Sequence, residues 1–206
     1  TEQLRSVIYE DGRTSTTSLD QLFGAKKVFD NPKSLEIIKR ILSFCTDKDS
    51  LILDFFSGSG TTAHAVMQLN AEDNGHRRFI VVQLPENLDA TLALTPASDK
   101  PKIRRSIAFL DSRKKPHLLD EIGQERIRRA ARQIRESKPF CSCDMGFKHF
   151  TLTEPNDKTF TQLEEFNPNV LFTDENIVNE FGRDTILQTW VVRDGYSLNA
   201  QITPIK

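Results

Sequence analysis

The string Asp54-Phe55-Phe56-Ser57-Gly58-Ser59-Gly60-Thr61-Thr62 constrains this chain more than any other part of it. It follows the apolar run Leu51-Ile52-Leu53 and precedes an alanine-rich segment. That order predicts a strand, a tight glycine turn and a helix start. In an open α/β sheet a ligand sits at the carboxyl end of such a strand. The glycines allow a sharp turn and a close backbone approach. Asp54 supplies a carboxylate at the strand's end. Thr61 and Thr62 place hydroxyls where the first-turn amide donors also point. The predicted site therefore offers one carboxylate, several N–H donors and room for a flat group.

Two common ligands can be weighed against the spacing. A dinucleotide turn carries a third glycine or an alanine three positions on, and Ala63 satisfies that. A phosphate-cradling loop needs Lys followed by Ser or Thr after its last glycine, and Gly60-Thr61-Thr62 has no lysine. The full nine-residue string resembles motif I of the amino-methylating DNA methyltransferases, which bind S-adenosylmethionine. The resemblance implies that Asp54, Phe55, Phe56, Ser57, Gly58, Ser59, Gly60, Thr61 and Thr62 hold that cofactor.

Upstream, Phe29-Asp30-Asn31-Pro32-Lys33-Ser34 opens a helical pattern. Asn31 reads as its N-cap and Pro32 as its first residue. Leu35, Ile38, Ile41, Leu42 and Cys45 follow as one apolar stripe. An ordinary capped helix leaves Phe29 and Lys33 unexplained. Phe29, Asn31, Pro32 and Lys33 match motif X of the same enzymes, which closes over the methionine end of the cofactor. Motif X directly before motif I resembles their β arrangement, in which the Asp-Pro-Pro-Tyr-type catalytic motif lies far upstream. No two prolines are adjacent in this chain, so no catalytic residue is assigned. The chain is read as the C-terminal part of a longer subunit, inactive by itself.

Phe79 to Gln83 is β-rich and bounded by turn residues, which predicts a second parallel strand after a helix over about 61–70. A nucleotide-binding sheet places an acid for the ribose hydroxyls at the end of that strand. Here the place holds Gln83, with Glu86 three residues on as the alternative. Gln-Leu-Pro-Glu is similar to modification subunits of type III restriction systems. So are the stretch Leu118 to Ala131 and the Gly146 to Leu152 string.

The expected fold is α/β: a partial, Rossmann-like S-adenosylmethionine-dependent methyltransferase sheet with a C-terminal α+β extension. Residues 1–27 read as the tail of an upstream region, 28–140 as the cofactor-binding half and 141–206 as the extension. Within the extension, Phe147 to Leu152 alternates like a strand, 153–170 reads as loop, and Phe181 to Asp194 as a helix that packs Trp190. A strand beginning at Ile202 is also expected. A sheet lacking its catalytic-side strands should expose apolar residues.

Between 118 and 138, Ile127, Ala130, Ala131 and Ile134 share a helical face, and Arg126, Arg128, Arg129, Arg132 and Arg135 crowd the rest. Those arginines read first as a solvated set paired with Glu121, Glu125 and Glu136, and second as contacts to DNA phosphate or a partner. The basic region 100–115, with Pro96, Pro101 and Pro116 in or around it, reads as partly loop with a short helix over 103–110. His64 reads as a packed or solvated helix residue.

Composition sets outer limits. The formal net charge of the 206 residues is −1, which by itself is no nucleic-acid-binding composition. Three cysteines, with Cys141-Ser142-Cys143 the only close pair, make no convincing zinc site, so no metal is assigned. An odd cysteine count and no signal-like start fit a reducing cytoplasm, and no run is long enough to cross a membrane.

The resemblance implies an adenine-N6 DNA methyltransferase with S-adenosylmethionine as cofactor. Its implied partners are double-stranded DNA, a second copy in a homodimer, and a restriction helicase-nuclease subunit. An N4-cytosine enzyme shares motifs X and I. A dinucleotide oxidoreductase and a non-catalytic assembly module are further alternatives.

Overall fold

The computed structural model describes residues 11–152, 178–179 and 181–203. They fall into two compact units, 1–146 and 147–206. The first unit runs α1 (Gly12–Phe23), α2 (Leu35–Cys45), β1 (Leu51–Asp54), α3 (Thr61–Asp73), β2 (Arg78–Val81), α4 (Leu88–Leu94), α5 (Lys100–Asp111) and α6 (Leu119–Ser137). The division falls after Gly146, and α1 packs into the first unit.

β1 and β2 are parallel, with Leu51 opposite Arg78, Ile52 opposite Phe79, Leu53 opposite Ile80 and Asp54 opposite Val81. Side chains alternate across a strand, so this register sorts the two faces. Ile52 is buried and Phe79 packs beside it, against Leu42 of α2 and Ala65, Val66 and Leu69 of α3. Leu51, Leu53, Ile80 and Val82 point the other way and stay exposed. Among the described residues the sheet is covered on one side only.

α3 is buried nearly all round, from Thr61 to Ala71. Its alanines let α2, α6 and the sheet approach closely. A second core joins Leu19, Phe23 and Val28 to Leu88, Phe109, Leu110 and Ile122. The Phe23 and Phe109 rings lie 4.7 Å apart. Burying each phenyl ring contributes about 2–3 kcal/mol, so α1 is a structural part of this unit.

α2 starts at Leu35, and its N-cap is Ser34, whose Oγ accepts the Ile37 N–H at 3.1 Å. Asn31 is not the cap: it adopts φ +51°, a left-handed conformation that asparagine tolerates well. On α2 only Leu42 is buried; Ile41 and Cys45 are exposed. Residues 100–111 form one continuous helix with Pro101 in its first turn, where a missing N–H costs nothing.

In the second unit α7 (Arg183–Arg193) buries Ile186, while Leu187 is exposed. The strand expected over 147–152 is absent; that segment has no regular structure. The loop expected over 153–170 and the end of the strand expected from Ile202 lie outside the described residues. Among the described residues no helix is long and apolar enough to cross a membrane.

Candidate functional site

The turn from β1 to α3 is braced by its own side chains and by the strand beside it. The Asp54 carboxylate accepts the Phe56 N–H at 3.0 Å through Oδ1 and the Thr62 hydroxyl at 2.6 Å through Oδ2. Asp54 thus ties the end of β1 to the first turn of α3. The backbone continues the parallel pairing beyond the strand: the Val82 N–H donates to the Asp54 carbonyl at 2.8 Å, and the Ser57 N–H to the Val82 carbonyl at 3.0 Å.

Gln83 completes the brace. Its Oε1 accepts the Gly58 N–H at 2.7 Å. The residue at the expected ribose position therefore grips the turn directly. Thr91 Oγ1 donates to Glu86 at 2.7 Å, which places that acid at the start of α4.

Gly58 and Gly60 take φ +52° and +77°, values that L side chains rarely adopt. Phe29 reaches this turn: its ring edge lies 3.4 Å from where a Cβ on Gly58 would stand. The structure therefore brings the 29–34 string to the glycine turn through Phe29. Pro32 is buried, whereas Asn31 and Lys33 stand exposed on the segment leading into α2. At the open end of the sheet, Phe55 and Phe56 are 64% and 88% exposed. Two phenyl rings left in solvent beside a braced turn are ready to cover an apolar or flat group.

Behind the turn stands α6. A Cβ on Gly60 would come within 3.0 Å of the Gly123 carbonyl oxygen, so the two backbones touch. One helical turn further along α6, Arg126 is only 4% exposed. Its Nη1 donates to Ser59 Oγ at 2.8 Å and to Thr61 Oγ1 at 2.6 Å. Its Nε donates to His64 Nδ1 at 3.4 Å. Burial pulls the guanidinium down to about 10, which leaves it charged near neutral pH. Burial, and then the charges of Arg126 and Lys39, push His64 down to about 3, so the imidazole is neutral and accepts.

Sequence reasoning missed Arg126, because an arginine among arginines reads as solvated. The signal was its position: four residues after Ile122 and four before Ala130, both buried, it lies in the apolar stripe. Among the neighbouring arginines, Arg129 pairs with a glutamate as expected. Arg129 Nε bonds Glu125 at 2.7 Å, and its Nη1 caps the end of α1 through the Leu22 and Phe23 carbonyls at 3.0 and 2.9 Å. Arg128 bonds Gln124 at 2.7 Å. In the basic region, Arg113 and Lys115 pair with Glu125 and Glu121. Much of this charge is spent within the unit.

No cluster of His, Cys, Asp or Glu suited to a metal ion occurs among the described residues.

A family model described as DNA methylase matches residues 5–136. The chain belongs to the DNA methylase family. The match spans α1 and nearly all of α6, so the braced turn and the helix behind it both lie inside the DNA methylase region. Three of the curated relatives are Mod subunits of type III restriction-modification enzymes. The StyLTI Mod subunit of Salmonella typhimurium is 33% identical over 89% of this chain and 29% of its own length. The EcoP15I Mod subunit of Escherichia coli is 32% identical over 99% of this chain and 28% of its own. The EcoPI Mod subunit of Escherichia phage P1 is 33% identical over 93% and 27%. The chain spans less than a third of the length of these relatives.

Proposed function

We propose that this chain is the S-adenosylmethionine-binding part of a DNA methyltransferase that methylates adenine N6 within a type III restriction-modification system. The observation that carries the reading is the turn at the carboxyl end of β1, tied down through Asp54, Gln83 and Arg126 and flanked by Phe29. In this reading β1, α3 and β2 are part of a Rossmann-like sheet, and its ligand lies over the strand ends.

The residues fit such a cofactor. The left-handed Gly58 and Gly60 leave the turn without side chains, so a ligand can lie directly on the backbone. The amides of Thr61 to Ala63 begin a helix and have no acceptor within it. Phe55 and Phe56 are exposed for a flat ring. Phe29, Asn31, Pro32 and Lys33 line the methionine end in this reading, with the turn from Ser57 to Thr62 beneath the cofactor. Each Asp54 oxygen keeps a second lone pair for the cofactor's amino group after holding the turn.

When bound, S-adenosylmethionine supplies an electrophilic methyl group. This chain's residues fix its position, and proximity supplies much of the rate. The base pocket and the Asp-Pro-Pro-Tyr-type motif belong to the rest of the subunit, which extracts the adenine from the duplex. The exposed face formed by Leu51, Leu53, Ile80 and Val82 is where we place that remainder, since the chain covers under a third of its relatives' length. Double-stranded DNA, a second Mod copy and a restriction helicase-nuclease subunit are the partners in this reading, and the cytoplasm its setting.

Nucleoside mass spectrometry of DNA from cells expressing the whole subunit tests this. The reading requires N6-methyladenine that disappears with Asp54→Ala. N4-methylcytosine in its place would mean the other amino-methylating chemistry, and unmethylated DNA would overturn the reading.

A further inference from the structure

Arg126 is a buried cation held by neutral groups. Its hydrogen-bond partners are two hydroxyls, on Ser59 and Thr61, and the neutral ring of His64. None of these neutralises it. Burying a charge without a counter-charge is costly, and such a group persists when something else answers it. Among the described residues one other arginine is buried, and it shows the contrast. Arg77, also within α3's surroundings, ion-pairs with Asp73 at 2.9 Å.

The position of Arg126 matters as much as its charge. It bonds the residue before the left-handed Gly60 and the one after it, and so stands immediately behind the first turn of α3. That helix end already carries partial positive charge from its unbonded amides. Guanidinium and helix end add, in a site where low dielectric strengthens both. Together they make the turn a place that favours an anionic group.

Resting on the cofactor reading above, we propose that Arg126 is the residue that selects the α-carboxylate of S-adenosylmethionine, acting through Ser59, Thr61 and the first turn of α3 without touching the ligand. Arg126 is thus a positioning and specificity residue. It sets where the methionine end lies, and hence where the sulfonium methyl points. A helix registered on the turn through Gly123 holds the charge in place.

The test is calorimetric titration of this chain with S-adenosylmethionine and, separately, with decarboxylated S-adenosylmethionine, which differs only in lacking the carboxylate. The unsubstituted chain should prefer the carboxylate-bearing compound by about tenfold or more, equivalent to about 1.4 kcal/mol. Arg126→Met should lose most of that preference, while Arg126→Lys, which keeps the charge, should retain much of it. Equal weakening of both compounds by Arg126→Met would make the residue a structural brace and overturn the proposal. If Arg126→Met does not fold, the lysine variant decides: a folded Arg126→Lys without the preference overturns it. Binding of neither compound by the unsubstituted chain overturns the cofactor reading, and this inference with it.

Discussion

Gly60 and Gly123 meet back to back: a Cβ on Gly60 would lie 3.0 Å from the Gly123 carbonyl oxygen, and a Cβ on Gly123 would lie 3.0 Å from that of Gly58. Gly60 is also left-handed, so no other residue serves there without strain. Gly123 is different. It sits inside α6, where alanine ordinarily gains about 1 kcal/mol over glycine. Here the new methyl would push on backbone rather than on a flexible side chain. Gly123→Ala is expected to destabilise by about 1–3 kcal/mol, the usual cost of overpacking. Urea denaturation followed by circular dichroism reads the sign; a gain in stability would show that α6 does not press on the turn.

Asn70 closes the far end of α3. Its Nδ2 donates to the Arg77 carbonyl at 2.9 Å, and its Oδ1 accepts the Arg77 N–H at 3.1 Å. Both residues are buried. One side chain thus satisfies both backbone groups of the residue that leads into β2. Asn70→Ala strands a donor and an acceptor, at about 1–3 kcal/mol for each buried group left unsatisfied. A loss of about 2 kcal/mol or more is expected in the same denaturation assay, and a loss below about 0.5 kcal/mol, typical of a surface change, would contradict this role.

Two histidines give the stability curve opposite slopes in separate pH windows. His117 bridges Asp111 and Asp89 at 2.8 Å each, and those hydrogen bonds raise it above its ordinary 6.5. Its contribution is fully present below 6.5 and fades as pH rises through the raised folded value. His64, pushed down to about 3, stays neutral in the folded chain while the unfolded chain takes up a proton below 6.5. Its contribution therefore fades as pH falls from 6.5 towards 3. In an NMR titration His117 should titrate above 6.5 and His64 should not titrate between pH 5 and 8. His117→Gln should flatten the alkaline slope alone. A His117 midpoint below 6.5 would contradict the bridge.

The parts legible in the sequence were those specified locally. The glycine turn, β1 and the start of α3 follow from residues within about ten positions of one another, and the structure places them accordingly. β2 and α3 were read nearly to their ends. The cap of α2 was misplaced because Asn31 and Ser34 are both good caps, and only the left-handed turn at Asn31 decides between them. α1 was not foreseen, since its stability comes from Leu19 and Phe23 packing on residues some 90 positions away. The strand expected over 147–152 had the right alternation but no partner strand among the described residues, and alternation alone does not make a sheet.

The candidate site divides in the same way. Asp54 and the glycines announced themselves, whereas the roles of Gln83 and Arg126 depend on long-range contacts with Gly58 and Ser59. Charge pattern gave the wrong environment for Arg126, because the hydroxyls that hold it, on Ser59 and Thr61, lie outside any local window.

Calorimetric titration of S-adenosylmethionine into this chain, repeated with Asp54→Ala, tests the central claim most directly. Asp54 holds Phe56 and Thr62 at the two ends of the turn, so its loss should loosen the whole cradle. Saturable binding that Asp54→Ala weakens by about tenfold or more, about 1.4 kcal/mol, is the predicted result. Absence of binding, or binding that Asp54→Ala leaves unchanged, would contradict the claim that the β1–α3 turn is the cofactor site.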